Sequence, residues 1–156
     1  MPVNLEHLLN AYNWFDHVDG PKFAETHRDE YRSCGHWLFL PGVFSSFHKL
    51  MNNEELWLIH TGRLLVHVIA ADGSYHLLRL GSDLPGGERP VVTVPVNAWQ
   101  AAEIPAGVPF AFGSNVCAPA FSYGQFEVGQ REEMLRQFPT HASLIRRLTR
   151  TVQDKP

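Results

Sequence analysis

From residue 36 onward the chain is a succession of short apolar runs separated by turn residues, and that spacing limits the fold more than any other feature. The runs fall at 36–40, 44–50, 56–60, 63–70, 75–80, 91–94, 98–104, 110–117 and 121–128. Pro41-Gly42, Asp72-Gly73, Pro85-Gly86-Gly87 and Pro105-Ala106-Gly107 punctuate them. Asp-Gly supplies positive φ at low cost, so 71–74 reads as a tight hairpin turn. Eight or nine short strands with almost no helix between them predict an all-β sandwich or barrel rather than a parallel sheet with crossover helices.

Helices are expected only at the two ends. Asn4 can cap a first helix whose apolar stripe is Leu5, Leu8, Leu9 and Tyr12, ending between Asp16 and Gly20-Pro21. The segment 23–28 reads as extended or irregular. Two short helices close the chain: 131–138, with Met134, Leu135 and Phe138 inward, and one capped by Thr140 with Leu144, Ile145 and Leu148 as its stripe. A polar tail runs from Thr151 to Pro156. A chain of 156 residues is expected to form one domain spanning 1–156.

A formal charge of -3 and scattered Lys and Arg point away from nucleic acid, and Arg146, Arg147 and Arg150 read as a solvated helix face. Polar residues interrupt the N-terminal leucines, so neither a signal peptide nor a membrane span is expected, and a cytoplasmic location is the default. Two cysteines, Cys34 and Cys117, make no disulfide framework, and Cys117 reads as an unreactive core thiol.

Chemistry concentrates in 44–62. On a strand, alternate residues share a face, which groups Ser46, His48 and Leu50 on one strand and Glu55, Trp57 and Ile59 on the next. If the two strands pair as a hairpin within a barrel, His48 and Glu55 converge on its interior. An imidazole with a carboxylate serves either as metal ligands or as an acid–base pair. A later contribution is expected from 95–103. There Gln100 lies between Ala98 and Ala102, either as a satisfied internal amide or as a pocket group facing His48 and Glu55. Glu25 and Arg28 read as a surface pair or as pocket residues, with the Arg28 guanidinium offering a planar fork to a carboxylate or phosphate. Trp37 and Trp99 suggest a dimer interface.

Two stretches resemble the paired cupin motifs. Gly42 through Gly62 is similar to the first, a glycine, a strand bearing histidine, a glutamate and a closing glycine; Gly87 through Gln100 is similar to the second. Over nearly its whole length the chain resembles the cupin-5 type, through His17-Val18-Asp19-Gly20-Pro21-Lys22-Phe23-Ala24-Glu25, Phe39-Leu40-Pro41-Gly42-Val43-Phe44, Glu55-Leu56-Trp57, Gly86-Gly87-Glu88-Arg89-Pro90 and Val94-Pro95-Val96-Asn97-Ala98-Trp99-Gln100. The resemblance implies a double-stranded β-helix, or cupin jelly roll, with short N- and C-terminal helices, a homodimer, and one open cleft per subunit.

The motifs depart from the metal-binding pattern of two histidines, a glutamate and a later histidine. Ser46 stands at the first histidine's place and Gln100 at the last, which leaves His48, Glu55 and Gln100 to hold Zn, Fe, Mn or Ni weakly, or to bind nothing but substrate. The function implied is that of an enzyme acting on a small sugar or carboxylic-acid metabolite in the barrel cleft. It is either isomerase- or epimerase-like without metal, as in the similarly folded sugar-nucleotide 3,5-epimerases, or a metal-dependent lyase or decarboxylase. His48 and Glu55 are the catalytic pair in this reading, and Arg28, Ser46, Gln100 and Trp57 hold substrate. The alternative is a non-catalytic small-molecule binding protein. Neither nucleic acid nor membrane is expected as a partner.

Overall fold

The computed structural model describes residues 3–151, so all of the expected polar tail beyond Thr151 lies outside the described residues. The Asn4 side chain accepts a bond of 2.8 Å from the Glu6 amide and starts helix α1, Leu5–Ala11. The chain then turns extended earlier than the leucine pattern suggests. Strand β1, Phe15–Asp16, pairs with β2, Lys22–Arg28, where an irregular segment was one of the expectations. The body continues as β3 (Ser33–Phe39), β4 (Phe44–Leu50), β5 (Glu54–Thr61), β6 (Leu64–Ile69), β7 (Tyr75–Leu80), β8 (Val91–Val94), β9 (Trp99–Glu103), β10 (Ala111–Ala118) and β11 (Phe126–Val128). The run 121–128, expected as one strand, contains a 3-10 turn at Tyr123–Gln125, and only its last residues are strand.

The strands form two antiparallel sheets, of order β1-β2-β3-β10-β5-β8 and β11-β4-β9-β6-β7, laid face to face as a jelly roll. Between them lies a core that includes Phe39, Leu64, Val66, Val68, Leu80 and Val94, the inward residues of alternating strands. The outer face of the smaller sheet is closed by α2 (Arg131–Gln137) and α3 (Ala142–Arg147). Phe47, Ile69, Trp99 and Ala101 of the sheet bury there against Met134, Phe138, Ile145 and Leu148. Thr140 does not cap α3, because a 3-10 turn at Pro139–His141 intervenes and His141 occupies the cap position. α1 covers the outer face of the larger sheet through Leu8, Leu38 and Phe112. Trp37 and Trp99 are both buried within the subunit, so neither is free for an interface. The Asp72-Gly73 turn forms as its residues require: Gly73 has φ +84°, and the Asp72 carboxylate accepts the Ser74 amide at 2.9 Å.

His48 and Glu55 do not share a hairpin. β4 turns into β5 by crossing from one sheet to the other, so the two side chains approach from opposite walls. β4 also departs from strict alternation. Ser45 pairs with Ala102 and His48 with Gln100, so Ser46 and Phe47 together oppose Ala101. This bulge re-phases the strand. Phe47 goes outward beneath the helices, and Ser45 rather than Ser46 shares the inner face with His48.

Candidate functional site

One end of the jelly roll holds a cavity of about 290 Å³, at the lower end of the usual range for ligand pockets. Its polar lining includes His17, Asp19, His48, Glu55 and Asn115. Around them stand the rings of Phe15, Phe23, Trp57, Phe121, Tyr123 and Phe126.

Asp19 sits in the link between β1 and β2, held by neighbouring backbone. Its carbonyl accepts the Ser46 amide at 2.8 Å, and Gly20, at φ +135°, presses so closely on the Phe44 carbonyl and the Arg150 side chain that no Cβ fits. The carboxylate accepts hydrogen bonds from His17 Nδ1 and from the Ser45 hydroxyl, and it lies 3.6 Å from His48 Nδ1. Burial opposes its ionisation. The His17 hydrogen bond, the two imidazole charges and the Ser45 hydroxyl outweigh burial and hold the acid well below the usual carboxylate range. For His17, burial favours the neutral ring, but the hydrogen bond and charge of Asp19 raise its pKa overall. The His17 ring stands 5.6 to 6.1 Å from those of Phe15, Phe23, Phe121, Tyr123 and Phe126.

His48 is fixed at its other nitrogen. Nδ1 lies 2.8 Å from the Ser46 carbonyl, which only accepts, so the proton belongs on Nδ1. Nε2 of the neutral ring therefore carries the lone pair, and no described residue bonds it. From the opposite sheet, Glu55 accepts the Gln100 amide at Oε2 and the Asn115 amide at Oε1, each at 2.6 Å. The Trp57 indole N–H in turn donates to Gln100 Oε1 at 2.9 Å. Burial raises the Glu55 pKa, opposed by the His48 charge and the two amides and reinforced by the negative charge of Asp19. Cys117 lines the same wall, and burial pushes its thiol up, away from reactivity.

The residues expected from the sequence are thus distributed unequally. His48, Glu55 and Trp57 line the cavity. Arg28 stands at its rim, half exposed, with its fork on Glu25 at 2.8 to 3.2 Å and Nη1 on the Phe121 carbonyl at 2.7 Å. Gln100 is buried behind the lining as a satisfied amide that orients Glu55. Ser46 is buried as well and contributes backbone rather than hydroxyl to the site, because the bulge put Ser45 in its expected place. His17, Asp19, Ser45 and Asn115 had no expected role. The one signal was 17–20, where a histidine, an acid and a glycine stand together just before a proline.

A metal fits poorly here. Gln100 has both amide atoms engaged, both Glu55 oxygens accept amide hydrogens, and His48 offers a single nitrogen. Among the described residues no three His, Cys, Asp or Glu side chains are grouped to hold a metal ion. No described helix is long and apolar enough to cross a membrane.

A double-stranded β-helix with a cavity between its sheets defines a cupin. The family described as Cupin superfamily (DUF985) matches residues 6–129, and the chain belongs to it. It is similar to a structure of a protein from Shewanella oneidensis, at 25% identity and TM-score 0.89, covering 96% of this chain and 99% of that one. It also resembles a hypothetical protein from Leishmania major, at 21% identity and TM-score 0.88, covering 96% and 100% of the two chains. The oxalate decarboxylase of Bacillus subtilis shares the fold at 14% identity and TM-score 0.61, over 87% of this chain and 37% of that one. No curated protein matches the chain.

Proposed function

We propose that the cavity is a metal-independent acid–base site that moves a proton on carbon next to a carbonyl, so that the protein acts as an isomerase or epimerase on a small metabolite. The observation that carries this reading is the placing of His48 and Glu55 on opposite walls of one cavity, with His48 Nε2 left free by the bond from Nδ1 to Ser46. Nε2 takes the proton from carbon, and Asp19 beside Nδ1 steadies the imidazolium that results. Glu55, pushed towards its neutral acid, supplies a proton to the carbonyl oxygen, giving an enediol. Return of a proton to a carbon, with loss of one from oxygen to Glu55, completes the isomerisation. The homodimer implied by the family and the cytoplasmic setting taken as the default from the sequence go with this reading.

The test is deuterium incorporation, read by NMR, at the carbon beside the carbonyl in a panel of hydroxy-ketones and reducing sugars in D₂O. His48→Gln and Glu55→Gln should each lower it by about 10² to 10⁴. Ligands that bind without exchange across the panel would instead support a non-catalytic binding protein, a reading favoured by the aromatic wall around the polar groups.

A further inference from the structure

The charges around the cavity narrow what it can take. Its lining contains three carboxylates, Asp19, Glu25 and Glu55, and no lysine. The one guanidinium, Arg28, is engaged twice over, by the Glu25 carboxylate and the Phe121 carbonyl. Its planar fork is therefore not available to a carboxylate or phosphate. His17 faces Asp19, so its positive form is matched by a negative charge before any ligand arrives. His48 lies 3.6 Å from the same Asp19 carboxylate, so an anion entering would lose hydration and meet only imidazoles that already face a negative charge. A free cation is disfavoured for a parallel reason: Asp19 and Glu25 have partners, and Glu55 already accepts two amide hydrogens.

What remains unmatched is directional. His48 Nε2 is an acceptor, and the Glu55 carboxyl, held by two amides, faces the cavity from the other wall. The rings of Phe121, Tyr123 and Phe126 line the same cavity, packed edge to face at 5.0 to 6.2 Å, with Phe126 5.3 Å from the His48 ring. We infer that the ligand of this cavity is an uncharged molecule with a flat apolar body and one polar edge, a carbonyl beside an N–H or O–H, bound edge-on between His48 and Glu55 with its body against the aromatic rings. This rests on the reading of the cavity as the acid–base site and deepens it. The carboxylic acids expected from the sequence fall outside the class, and a neutral hydroxy-ketone or amide falls within it.

Three probes sharing one ring separate the possibilities: benzamide (neutral, with carbonyl and N–H), benzoate (anionic) and benzylammonium (cationic). Each is titrated into the wild-type chain at neutral pH and followed by NMR through the Trp57 indole N–H and the backbone signals of 48, 55, 121 and 126. Benzamide should bind at least about tenfold more tightly than either charged probe and should shift those signals together. Equal or tighter binding of benzoate or benzylammonium overturns the inference, and so does failure of benzamide to bind by about 10 mM. Because binding needs no turnover, the two proposals fail separately. Benzamide binding without deuterium exchange on any substrate removes the catalytic reading alone. Deuterium exchange on the hydroxy-ketones or sugars without binding of benzamide removes the ligand class alone.

Discussion

Asp19 ties the two imidazoles of the cavity together, and a single-atom change there shows what it does. In Asp19→Asn one oxygen becomes an N–H₂ that can only donate, yet the positions around it are taken by donors, His17 Nδ1 and the Ser45 hydroxyl. The variant should lose about 3 kcal/mol of stability in urea unfolding, as expected when one member of a buried charged pair is removed. At a temperature where it is folded it should also exchange deuterium more slowly, because the imidazolium at His48 loses its neighbouring charge. A variant as stable as the wild type would mean that Asp19 is not the centre of this network. The metal question also turns on single side chains. With Gln100 turned to Glu55 and Trp57, chelation with EDTA should leave both the thermal midpoint and any exchange activity unchanged. A drop in either after chelation would show that a metal is held by a set of donors other than the one described.

The β4 strand shows what was legible in the sequence and what was not. Its existence and the inward turn of His48 follow from apolar runs and turn residues, which are local properties of the chain, whereas its neighbours β9 and β11 do not. The bulge at Ser46 and Phe47 is not local. It arises because Phe47 finds its burial under α2 and α3, an arrangement set by residues some ninety positions later, as the contacts of Met134 and Ile145 show. The same holds for the missed pair His17 and Asp19. Nothing near residue 19 announces that Ser45 and Ser46, 26 and more positions away, will hold it. Gln100 was legible as an inward amide between alanines, either satisfied or facing His48 and Glu55; the bond to Glu55 across the two sheets joins those alternatives, and the Trp57 indole that completes it could not be read from spacing. The division of β4 into an outward Phe47 and an inward His48 makes a paired prediction. Phe47→Ala should cost about 3–5 kcal/mol, the usual loss for truncating a fully buried Phe, yet leave benzamide affinity unchanged in the folded fraction. Phe126→Ala, at a half-buried ring that stands 5.3 Å from His48, should weaken benzamide binding while costing less stability. Calorimetry of unfolding and of binding on the same two variants checks both halves.

At the scale of the whole molecule the buried ionisable groups pull stability in different pH directions, and the sign of each follows from its shift. Asp19, with its pKa lowered, contributes stability that is present above its ordinary value of 3.8 and lost as pH falls through the folded value. His36 and His67, lowered chiefly by burial, favour the fold while neutral, so their contribution fades as pH drops below 6.5. His17 and Glu55 work the other way. Each has a raised pKa, so its contribution is complete below the ordinary value, 6.5 and 4.5 respectively, and is lost as pH climbs through the folded value. The wild-type curve mixes all five, but the difference between wild type and Glu55→Gln isolates one. The variant carries an amide that cannot ionise, and the poorer match to the Asn115 and Gln100 amides is an offset that does not vary with pH. The stability of Glu55→Gln relative to wild type should therefore improve steadily as pH rises above about 4.5 and level off only once Glu55 has ionised in the folded wild type. Urea unfolding at a series of pH values from 4 to 9 supplies the difference directly. A flat difference would mean that Glu55 titrates as an ordinary carboxylate, and one that worsens with pH would mean that the fold stabilises its charge; either result would remove the proton donor on which the proposed chemistry depends.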